Sequence, residues 1–507
     1  MEKSISSISK ASMNSDEKLD KKEWDQQLPI DFGEGEDVTT EVYILDHKAE
    51  RRLCRKFDFR ILPLLALLYL FNALDKSNVS NAKTNGMDKD LGFVGDQYNI
   101  MISIFYIPFV LCAFPFSYLY KRFGAARILP FFMLSFGAMS LCQAAVKNFG
   151  GMMAVRWFLG MAESAVLPGV VYYLTTFYRR TELARRLAIF YAAANVSSAF
   201  GGLLAYGVFH IKGGKLQGWQ YLFLIEGGVT FLCAIVIFLV LPVSVETANF
   251  LTDEEKTLAK MRIENDSSSA ISEKLSFKQS LTVFKHPIAI LWLLEEMALG
   301  VPLNSINNWL PQIVAAMGFS SVNTNLMTVA PAISGAIWLL VFAFISDFLK
   351  NRGIVLIAAI STTMIGFIVY GSIDIMNHIG VSYFACFLMT AGAAASSVLT
   401  STWYNNNTPN ESRRAVFTSV GVPLANVMGL VSANIFRPQD APKYVPALGI
   451  TAGFGGLGIL LVASISVYMF FDNRRRDNAQ GVKKTFADVS TKDLGEGPAN
   501  PNFRWFL

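Results

Sequence analysis

The stretch FRILPLLALLYLFNALDKSN, residues 59–78, decides the fold. It is about as long as the 20 apolar residues that a membrane-spanning helix needs, but polar residues from Asn72 to Asn78 interrupt its end. The whole chain has this character, because 52% of its 507 residues are hydrophobic and 16% are charged, whereas a soluble protein carries about 25% charged residues. The sequence predicts a membrane protein whose spans contain a few polar groups.

Similar apolar runs recur along the chain and predict an all-α membrane protein with twelve transmembrane helices. Polar residues 243–286 separate the sixth run from the seventh, which divides the chain into two six-helix halves. Two such pseudo-repeats are typical of secondary transporters, whose substrate site lies near the bilayer midplane between the repeats. The predicted spans are residues 60–82, 98–119, 128–147, 151–175, 187–209, 219–241, 287–316, 325–347, 354–373, 381–403, 415–436 and 447–471.

Basic residues cluster on one side of the predicted membrane and indicate its orientation. The formal net charge is only +5, so this clustering points to membrane orientation and not to nucleic-acid binding. The positive-inside rule places both termini in the cytoplasm, and an even number of spans agrees with it. The basic residues on that side are Arg51, Arg52, Arg55, Lys56, Lys121, Arg122, Arg127, Arg179, Arg180, Arg185, Arg186, Lys350, Arg352, Arg413, Arg414 and Arg474 to Arg476.

These spans divide the chain into five segments. The two ends are polar and are expected to be cytoplasmic and mostly disordered. The N-terminal segment has no signal peptide, so the first span is expected to direct insertion. The segments are an N-terminal tail at 1–58, a six-helix half at 59–241, a cytoplasmic central loop at 242–286, a second six-helix half at 287–472 and a C-terminal tail at 473–507.

The cysteines and histidines argue against enzymatic or metal chemistry. The five cysteines include no C-x-x-C pair, so neither a disulfide framework nor a metal site is expected. The four histidines are scattered, and none forms an H-E-x-x-H motif. We therefore expect no enzyme activity, no cofactor and no bound metal. A channel is also disfavoured, because the charged residues are dispersed and form no repeated filter loop.

The first span carries a polar face near its outer end. Asn72, Asp75 and Lys76 are spaced i, i+3 and i+4, which predicts a shared helical face. An ionisable side chain at mid-bilayer costs roughly 2.5–3.5 kcal/mol, so it is expected to face protein or a cavity. We interpret Lys76 and Asn78 as substrate-binding residues for an anion, with Asp75 tempering the lysine charge and serving in proton coupling. The alternative is that Lys76 snorkels to the outer interface.

The fourth span holds a second ionisable pair. Arg156 and Glu163 are seven residues apart, so two helical turns bring them to one face. Arg156 is predicted near the outer end as a substrate-binding residue. Glu163 is predicted near the middle, where a lone carboxyl group in an apolar cavity can exchange protons near neutral pH. The alternative is a structural Arg–Glu ion pair between helices.

Further polar residues interrupt the sixth and seventh spans. Glu226 is the third candidate for proton coupling. Asn304 and Asn308 give the outer part of the seventh span a polar face and are candidates for substrate binding. Glu295 and Glu296 lie in the same span, and because adjacent residues do not share a helical face, at most one of them is expected to point into the core.

Several stretches of the chain, in order, resemble the fungal allantoate permease family of the anion:cation symporter group, within the major facilitator superfamily. The resemblance extends from about residue 56 to 472, and LDKSN, the WQY-x-x-x-x-EG stretch and the PNFRW-type tail look most like nicotinic acid permeases. The matching stretches are LDKSNVSNAK at 74–83, RWFLGMAESAVLPGVVYYLTTFYRR at 156–180, AFGGLLAYG at 199–207, GWQYLFLIEG at 218–227, NWLPQIVAAMGFSSVNTNLMTVAP at 308–331 and RPQDAPKY at 437–444.

This resemblance implies uptake of small organic anions such as nicotinate, pantothenate, allantoate or biotin, usually with protons. The group's pattern R-x-N-x-S-x-A corresponds to residues 76–82 here, with Lys76 in place of the arginine. Its pattern R-x-x-x-G-x-x-E-x-x-x-x-P is matched by Arg156, Gly160, Glu163 and Pro168.

Two loops resemble worn copies of the facilitator signature G-x-x-x-D-R-x-G-R-R, which implies a gating role. The loop after the second span keeps Lys121, Arg122 and Gly124 but lacks the leading glycine and the aspartate. The loop after the eighth span keeps Asp347 and the downstream Arg352. The alternative is ordinary basic flanking of two helix ends.

Together these observations predict a proton-coupled importer that works by alternating access. We expect it to act as a monomer in the plasma membrane, with a small organic anion, protons and the lipid bilayer as its partners. A vitamin-type monocarboxylate such as nicotinate is the first candidate substrate, and pantothenate, allantoate and biotin are the alternatives. A non-transporting nutrient sensor on the same scaffold is disfavoured, because the predicted tail is short and holds no recognisable signalling module.

Overall fold

A computed structural model of the chain describes residues 47–211, 213–268, 281–408, 411–484, 489 and 497–507. Every regular element in these residues is a helix. The first half consists of α1 His47–Thr84, α2 Met87–Asp90, α3 Gln97–Phe123, α4 Ala125–Ala145, α5 Phe149–Glu163, α6 Val166–Thr175, α7 Arg180–Val208 and α8 Gly218–Val240.

A polar helix, α9 Asp253–Ser268, lies between the two halves of the sequence. The second half consists of α10 Pro287–Ala315, α11 Ser321–Leu349, α12 Arg352–Ser372, α13 Ile379–Asn407, α14 Glu411–Ile435 and α15 Val445–Gln480. Short 3-10 helices occur at Leu281–Lys285, Pro438–Asp440 and Gly497–Ala499.

The predicted spans coincide with these helices. Ten helical segments are long and apolar enough to cross a bilayer, counting α5 and α6 as one segment. The remaining two spans correspond to α3 and α7, which contain apolar helical stretches at 97–113 and 196–208. The predicted all-α membrane fold of two six-helix pseudo-repeats is therefore confirmed.

The fourth span is broken in its middle, immediately after Glu163. The turn at Ser164 and Ala165 separates α5 from α6. Pro168 accounts for this break, because it has no N–H to donate to the Ser164 carbonyl and its ring clashes with that carbonyl. Glu163 is thus the last residue of a helix inside the bundle.

The two halves meet along two helix pairs, α7 with α11 and α3 with α14. The approach of α7 to α11 requires Gly202, because a Cβ there would lie 2.8 Å from a backbone carbonyl oxygen of α11. Gln312 Nε2 donates to the Ser80 carbonyl across the halves at 2.8 Å. Asn99 Nδ2 likewise donates to the Phe436 carbonyl at 2.8 Å. These bonds lie at the end of the bundle where α1 and α10 terminate. We call it the closed end.

The buried apolar cores show a different arrangement at the opposite end. One core fills the first half and continues into the second half at the closed end, where the rings of Trp309 and Phe436 stack with centroids 4.8 Å apart. A separate core lies in the second half alone and contains Trp292, Trp403 and Trp505. We call the end of the bundle that holds this second core the basic end, because the predicted basic loops flank it. The halves share a core at the closed end and have separate cores at the basic end.

The first helix begins earlier than predicted, which corrects the boundary of the N-terminal tail. Residues 1–46 lie outside the described part of the chain, but α1 already begins at His47, so the last part of the predicted tail is helical. Ion pairs hold this extension at Glu50. Arg262 of α9, whose side chain is 1% exposed, contacts Glu50 at 2.8 Å and Glu182 of α7 at 2.7 Å.

The C-terminal segment is ordered where the sequence predicts disorder. Residues 497–507 pack onto the basic end of the second half, with Trp505 buried in its core. Trp505 Nε1 donates to Asp472 at 2.7 Å, and the Trp505 N–H donates to Asn473 Oδ1 at 2.8 Å. The aromatic side chains supply apolar area that offsets the entropy of ordering. The prediction of a disordered tail is wrong for this segment and for the end of α15, which continues to Gln480.

A half-buried histidine lies beside this segment. The His286 ring lies 5.6 Å from the Trp505 ring, measured between centroids. Burial lowers the pKa of the His286 imidazole below its ordinary value. Its Nδ1 can then accept the Ile288 N–H at 3.4 Å, at the start of α10.

Removing the Trp505 side chain is expected to destabilise the protein. Truncating a buried tryptophan costs about 3–5 kcal/mol in the free energy of unfolding, and Trp505→Ala also removes one of the two donors to Asp472, the other being Arg476. We expect a Tm several degrees lower for the purified protein, measured by fluorescence-detected size exclusion after heating. The matched control is Trp338→Ala, because Trp338 is 44% exposed on the outside of the bundle. Equal Tm values for Trp505→Ala and the parent would contradict the docking of this segment.

Candidate functional site

A buried polar network connects α1 to α4 and α8 inside the first half. Ser140 of α4 donates to Asp75 Oδ1 at 2.9 Å. The Glu226 carboxyl of α8 lies within hydrogen-bonding reach of the Asp75 carboxyl, and Asn78 donates its amide N–H to Glu226. Asp75 and Glu226, both predicted to couple protons, therefore lie together, and Asn78 is bonded to one of them and not free for a substrate in this state.

Lys76 points in another direction, toward the second half. Its Nζ donates to Asn426 Oδ1 of α14 at 3.2 Å and lies 4.9 Å from the Tyr106 ring centroid, 5.3 Å from that of Phe109 and 5.8 Å from that of Phe105. The shared face predicted for Asp75 and Lys76 is not observed, because successive helical residues point about 100° apart. The ammonium group lies inside the bundle, which argues against snorkelling.

Arg156 and Glu163 are both buried but do not form an ion pair with each other. Their residues are 1% and 2% exposed, and the Arg156 guanidinium lies 5.1 Å from the Phe105 ring centroid. In the described part of the chain, Arg156 Nε and Nη1 and both Glu163 carboxyl oxygens have no hydrogen-bond partner. The structural ion pair that the sequence left open is therefore absent, and both groups retain unused hydrogen-bonding capacity.

Five ionisable side chains come close enough to interact electrostatically within the first half, and we call them the charge cluster. Fully ionised, its three carboxyl groups and two cations leave one negative charge in excess. One bound proton would neutralise this excess, and a second would leave a positive charge. The protonation of the cluster therefore decides whether it repels or attracts an anion. Its members are Asp75, Lys76, Arg156, Glu163 and Glu226.

The candidate asparagines of α10 join the two halves next to this cluster. Tyr106 Oη of α3 donates to Asn304 Oδ1 at 3.0 Å and accepts from Asn308 Nδ2 at 2.9 Å. Gly429 of α14 makes room for this ring, because a Cβ there would lie 2.3 Å from a Tyr106 ring atom. Asn304 and Asn308 thus hold the halves together in this state, and any substrate contact requires these bonds to break.

The two signature-like loops are built differently. Gly124 caps α4 with φ +83°, a conformation that favours glycine. Arg122 is exposed and lies 5.3 Å from the Phe123 ring centroid, while the side chain of Lys121 lies outside the described residues. In the second half, Asp347 pairs with Arg352 at 3.1 Å.

The adjacent acids of α10 correct one prediction. Glu295 and Glu296 are both buried, at 0% and 5% exposure, although at most one was expected to point inward. The reason is that α10 is surrounded by α11, α13, α14 and α15, so two of its faces are covered. Thr400 of α13 donates to Glu295 Oε1 at 2.7 Å. These acids lie toward the basic end, outside the charge cluster.

The uncharged partners of the charge cluster have no strong signal in the sequence. Tyr106, Asn426 and Ser140 contact its members or their neighbours, yet Asn426 is 350 residues away from Lys76. The one local signal is that Asn426 and Ser140 are polar residues within apolar runs, and such residues are also common in inert bundles.

Comparison with known proteins identifies relatives over most of the chain. The sequence profile of the Major Facilitator Superfamily matches residues 65–433. The MFS-type transporter efuF of Hormonema carpetanum is 42% identical over 476 residues, covering 94% of this chain and 96% of that protein. The high-affinity nicotinic acid transporter of Saccharomyces cerevisiae is 32% identical over 470 residues, covering 90% of this chain and 85% of that protein.

A solved structure has the same fold. The xylose transporter XylE from E. coli, in a partially occluded inward open conformation, superposes with a TM-score of 0.63 and covers 81% of this chain and 98% of that one. The sequence identity is 14%, so this similarity concerns the fold alone.

Proposed function

Because this chain belongs to the Major Facilitator Superfamily and is therefore a multi-pass membrane transporter and not an enzyme, we propose that it imports a small organic anion together with protons by alternating access. The observation that carries this proposal is the composition of the charge cluster. Lys76 and Arg156 supply positive charge for an anion, but three carboxyl groups outweigh them. An anion would bind with little repulsion only after the cluster has taken up a proton.

Proton uptake and anion binding are therefore coupled in the proposed cycle. Glu163 is protonated from outside as the anion binds near Lys76 and Arg156. The halves then rock, the proton and the anion leave inside, and the empty carrier resets. One proton with one monovalent anion is electroneutral and is driven by the pH gradient. A second proton would add the membrane voltage, which is worth about 2.3 kcal/mol per charge at 100 mV.

The proposed orientation has the basic end and both termini in the cytoplasm. Under that orientation, the described state is inward-facing, because its halves are joined at the closed end and have separate cores at the basic end. We propose that the protein acts as a monomer in the plasma membrane.

The proposed substrate is a vitamin-type monocarboxylate such as nicotinate, and the proposed subgroup is the allantoate permease family. The support is the motif resemblance together with a relative that is named a nicotinic acid transporter and is 32% identical. Pantothenate, allantoate and biotin remain alternatives, because the charge cluster recognises charge and does not by itself distinguish these acids.

The test of this function is a growth-rescue and radiolabel-uptake screen in a transporter-deficient fungal host. The panel contains nicotinate, pantothenate, allantoate and biotin at external pH 5 and pH 7.5. We expect at least one acid to accumulate, more strongly at pH 5, with loss of accumulation on adding a protonophore. Uptake of none of these acids by a chain that reaches the cell surface would refute the proposal.

Cysteine labelling tests the orientation. Single cysteines in place of Ser268, at the end of α9, and Ser490 are expected to react with an impermeant maleimide only in permeabilised cells. The matched control is Lys215→Cys in the exposed loop between α7 and α8, which is expected to react in intact cells. Labelling of either of the first two positions in intact cells would contradict the orientation.

A disulfide across the closed end tests alternating access. Asn434 Nδ2 of α14 donates to Ser103 Oγ of α3 at 2.9 Å, so cysteines at these two positions are expected to cross-link on oxidation. Uptake should then fall in proportion to the cross-linked fraction and return after reduction, because the closed end must open. The two single-cysteine variants are the controls. Undiminished uptake by the cross-linked protein would rule out opening at this end.

A further inference from the structure

A cleft between the two halves lies beside the charge cluster but has a different chemistry. It is lined by α1, α7, α10, α11 and α13. Ser77, the residue after Lys76, belongs to its lining, so the cleft and the cluster adjoin on α1. None of the described residues that line it is charged; they are serine, threonine, asparagine, glycine, alanine, leucine, isoleucine and proline. We call it the neutral cleft.

Most hydrogen-bond donors of the neutral cleft are already used. The hydroxyl groups of Ser77, Ser80, Thr328 and Thr390 donate to backbone carbonyl oxygens at 2.6–3.0 Å. The amide of Asn81 donates to Asn78 Oδ1 at 2.8 Å. All of these groups retain lone pairs and can accept a hydrogen bond. The four hydroxyl groups have no free hydrogen to offer without breaking a bond, and the Asn81 amide keeps one N–H.

Two side chains of the cleft form no hydrogen bond to a described residue. Asn307 of α10 and Ser198 of α7 line it from opposite halves of the protein, and both are partly exposed to the open space. An amide offers two N–H donors and a hydroxyl offers one. A ligand group in this cleft would therefore meet unused donors at these two positions and needs an accepting atom to pair with them.

The size of the cleft limits the group that it can hold. Water molecules could place their centres in about 70 Å³ of it, and roughly 10–15 Å³ of such space holds one water. About five to seven waters would fill this space, and a single ring is a group of comparable size. Small residues set this limit on one side, among them Ala394 of α13.

We propose that the neutral cleft is a specificity subsite for the uncharged part of the transported anion, and that it selects a single planar ring with a hydrogen-bond-accepting atom. Asn307 and Ser198 donate to that atom, while the carboxylate is held by Lys76 and Arg156. This assignment rests on the proposed anion transport, and it adds the chemical class of the remainder of the substrate. A ring made only of carbon leaves both donors unpaired and is rejected.

The test compares two acids of equal charge and ring size, nicotinate, which has a ring nitrogen, and benzoate, which has none. Initial uptake of labelled nicotinate is measured in the transporter-deficient host with either unlabelled acid as competitor. For the parent chain, benzoate is expected to compete at least about 10-fold more weakly than nicotinate, because its ring would cover the two donors without pairing with them. Asn307→Leu, which keeps the branching at Cγ but has no polar atom, is expected to reduce this ratio to about twofold or less, through weaker nicotinate binding.

Two further variants separate a specific effect from misfolding. Ala394→Leu fills the cleft and is expected to weaken the binding of both acids. Asn323→Leu makes the same chemical change as Asn307→Leu at an exposed position of α11 and is expected to keep the parent ratio. Surface expression is measured for each variant.

The outcomes distinguish the subsite from the proposed function. The subsite is refuted if the parent chain does not take up nicotinate, if benzoate competes equally, or if well-expressed Asn307→Leu keeps the parent ratio. If the parent chain accumulates pantothenate, allantoate or biotin in a proton-dependent way but not nicotinate, anion transport stands and the subsite assignment alone fails.

Discussion

Lys76→Ala is expected to abolish uptake or to raise its apparent KM at least about 100-fold. Two unit charges 4 Å apart interact by roughly 4 kcal/mol at the effective dielectric near a protein surface, and Lys76 contacts both α3 and α14 at the proposed anion site. Its ammonium group lies within 6 Å of three aromatic ring centroids, and it shares one of these rings, Phe105, with Arg156. The measurement is concentration-dependent uptake by cells with matched surface expression.

Two variants make this result specific to the charge at residue 76. Lys76→Arg keeps the charge and is expected to keep part of the uptake, although arginine presents a planar group that differs in shape. Lys83→Ala is the matched control, because Lys83 lies on the same helix, over the Tyr98 and Trp309 rings, but outside the charge cluster. A normal KM for Lys76→Ala would mean that this lysine has only a structural role.

Glu163→Gln is expected to remove concentrative uptake almost completely while leaving exchange of substrate. The side chain keeps its shape but cannot release a proton, and both carboxyl oxygens of Glu163 have no described hydrogen-bond partner that the change would disrupt. The variant resembles the permanently protonated carrier, so the anion can still bind and cross while the pH gradient no longer drives accumulation. The measurement is accumulation at external pH 5 beside counterflow in preloaded cells.

A second buried acid serves as the control for this variant. Glu295→Gln changes a fully buried carboxyl of α10 that lies outside the charge cluster and is expected to keep pH-driven accumulation. If Glu163→Gln still concentrates substrate and a protonophore still abolishes this, Glu163 is not the coupling group. Asp75 and Glu226, which lie beside each other in the same cluster, would then be tested next.

The helices were predictable because each span is a local property of the sequence. About 20 apolar residues suffice to identify a transmembrane helix, and every predicted span matches a helix of the structure. The prediction of a disordered tail was wrong at 497–507 because it also relied on local composition. Its polar composition indicates disorder, but the order depends on Phe503 and Trp505 packing onto a distant surface. The aromatic residues of PNFRWFL were the signal that could have revealed it, since disordered segments contain few of them.

The candidate site was predictable only in its charged members. Asp75, Lys76, Arg156, Glu163 and Glu226 stand out because a charge inside a membrane is costly and therefore rare. Their uncharged partners have no such signal, and their pairing depends on how distant helices pack. The directions of Asp75 and Lys76 are an example, since the sequence spacing suggested one face and the structure divides them between two.

The central claim is that a proton gradient drives an organic anion through this protein. The most direct measurement is uptake of labelled nicotinate, pantothenate, allantoate and biotin by proteoliposomes that contain only the purified protein, with an imposed gradient acidic outside. We predict that one of these acids accumulates above its external concentration, that a protonophore abolishes this accumulation, and that proteoliposomes with Glu163→Gln exchange the acid without concentrating it. Accumulation that is independent of the pH gradient, or no transport of any of these acids by folded protein, would contradict the claim.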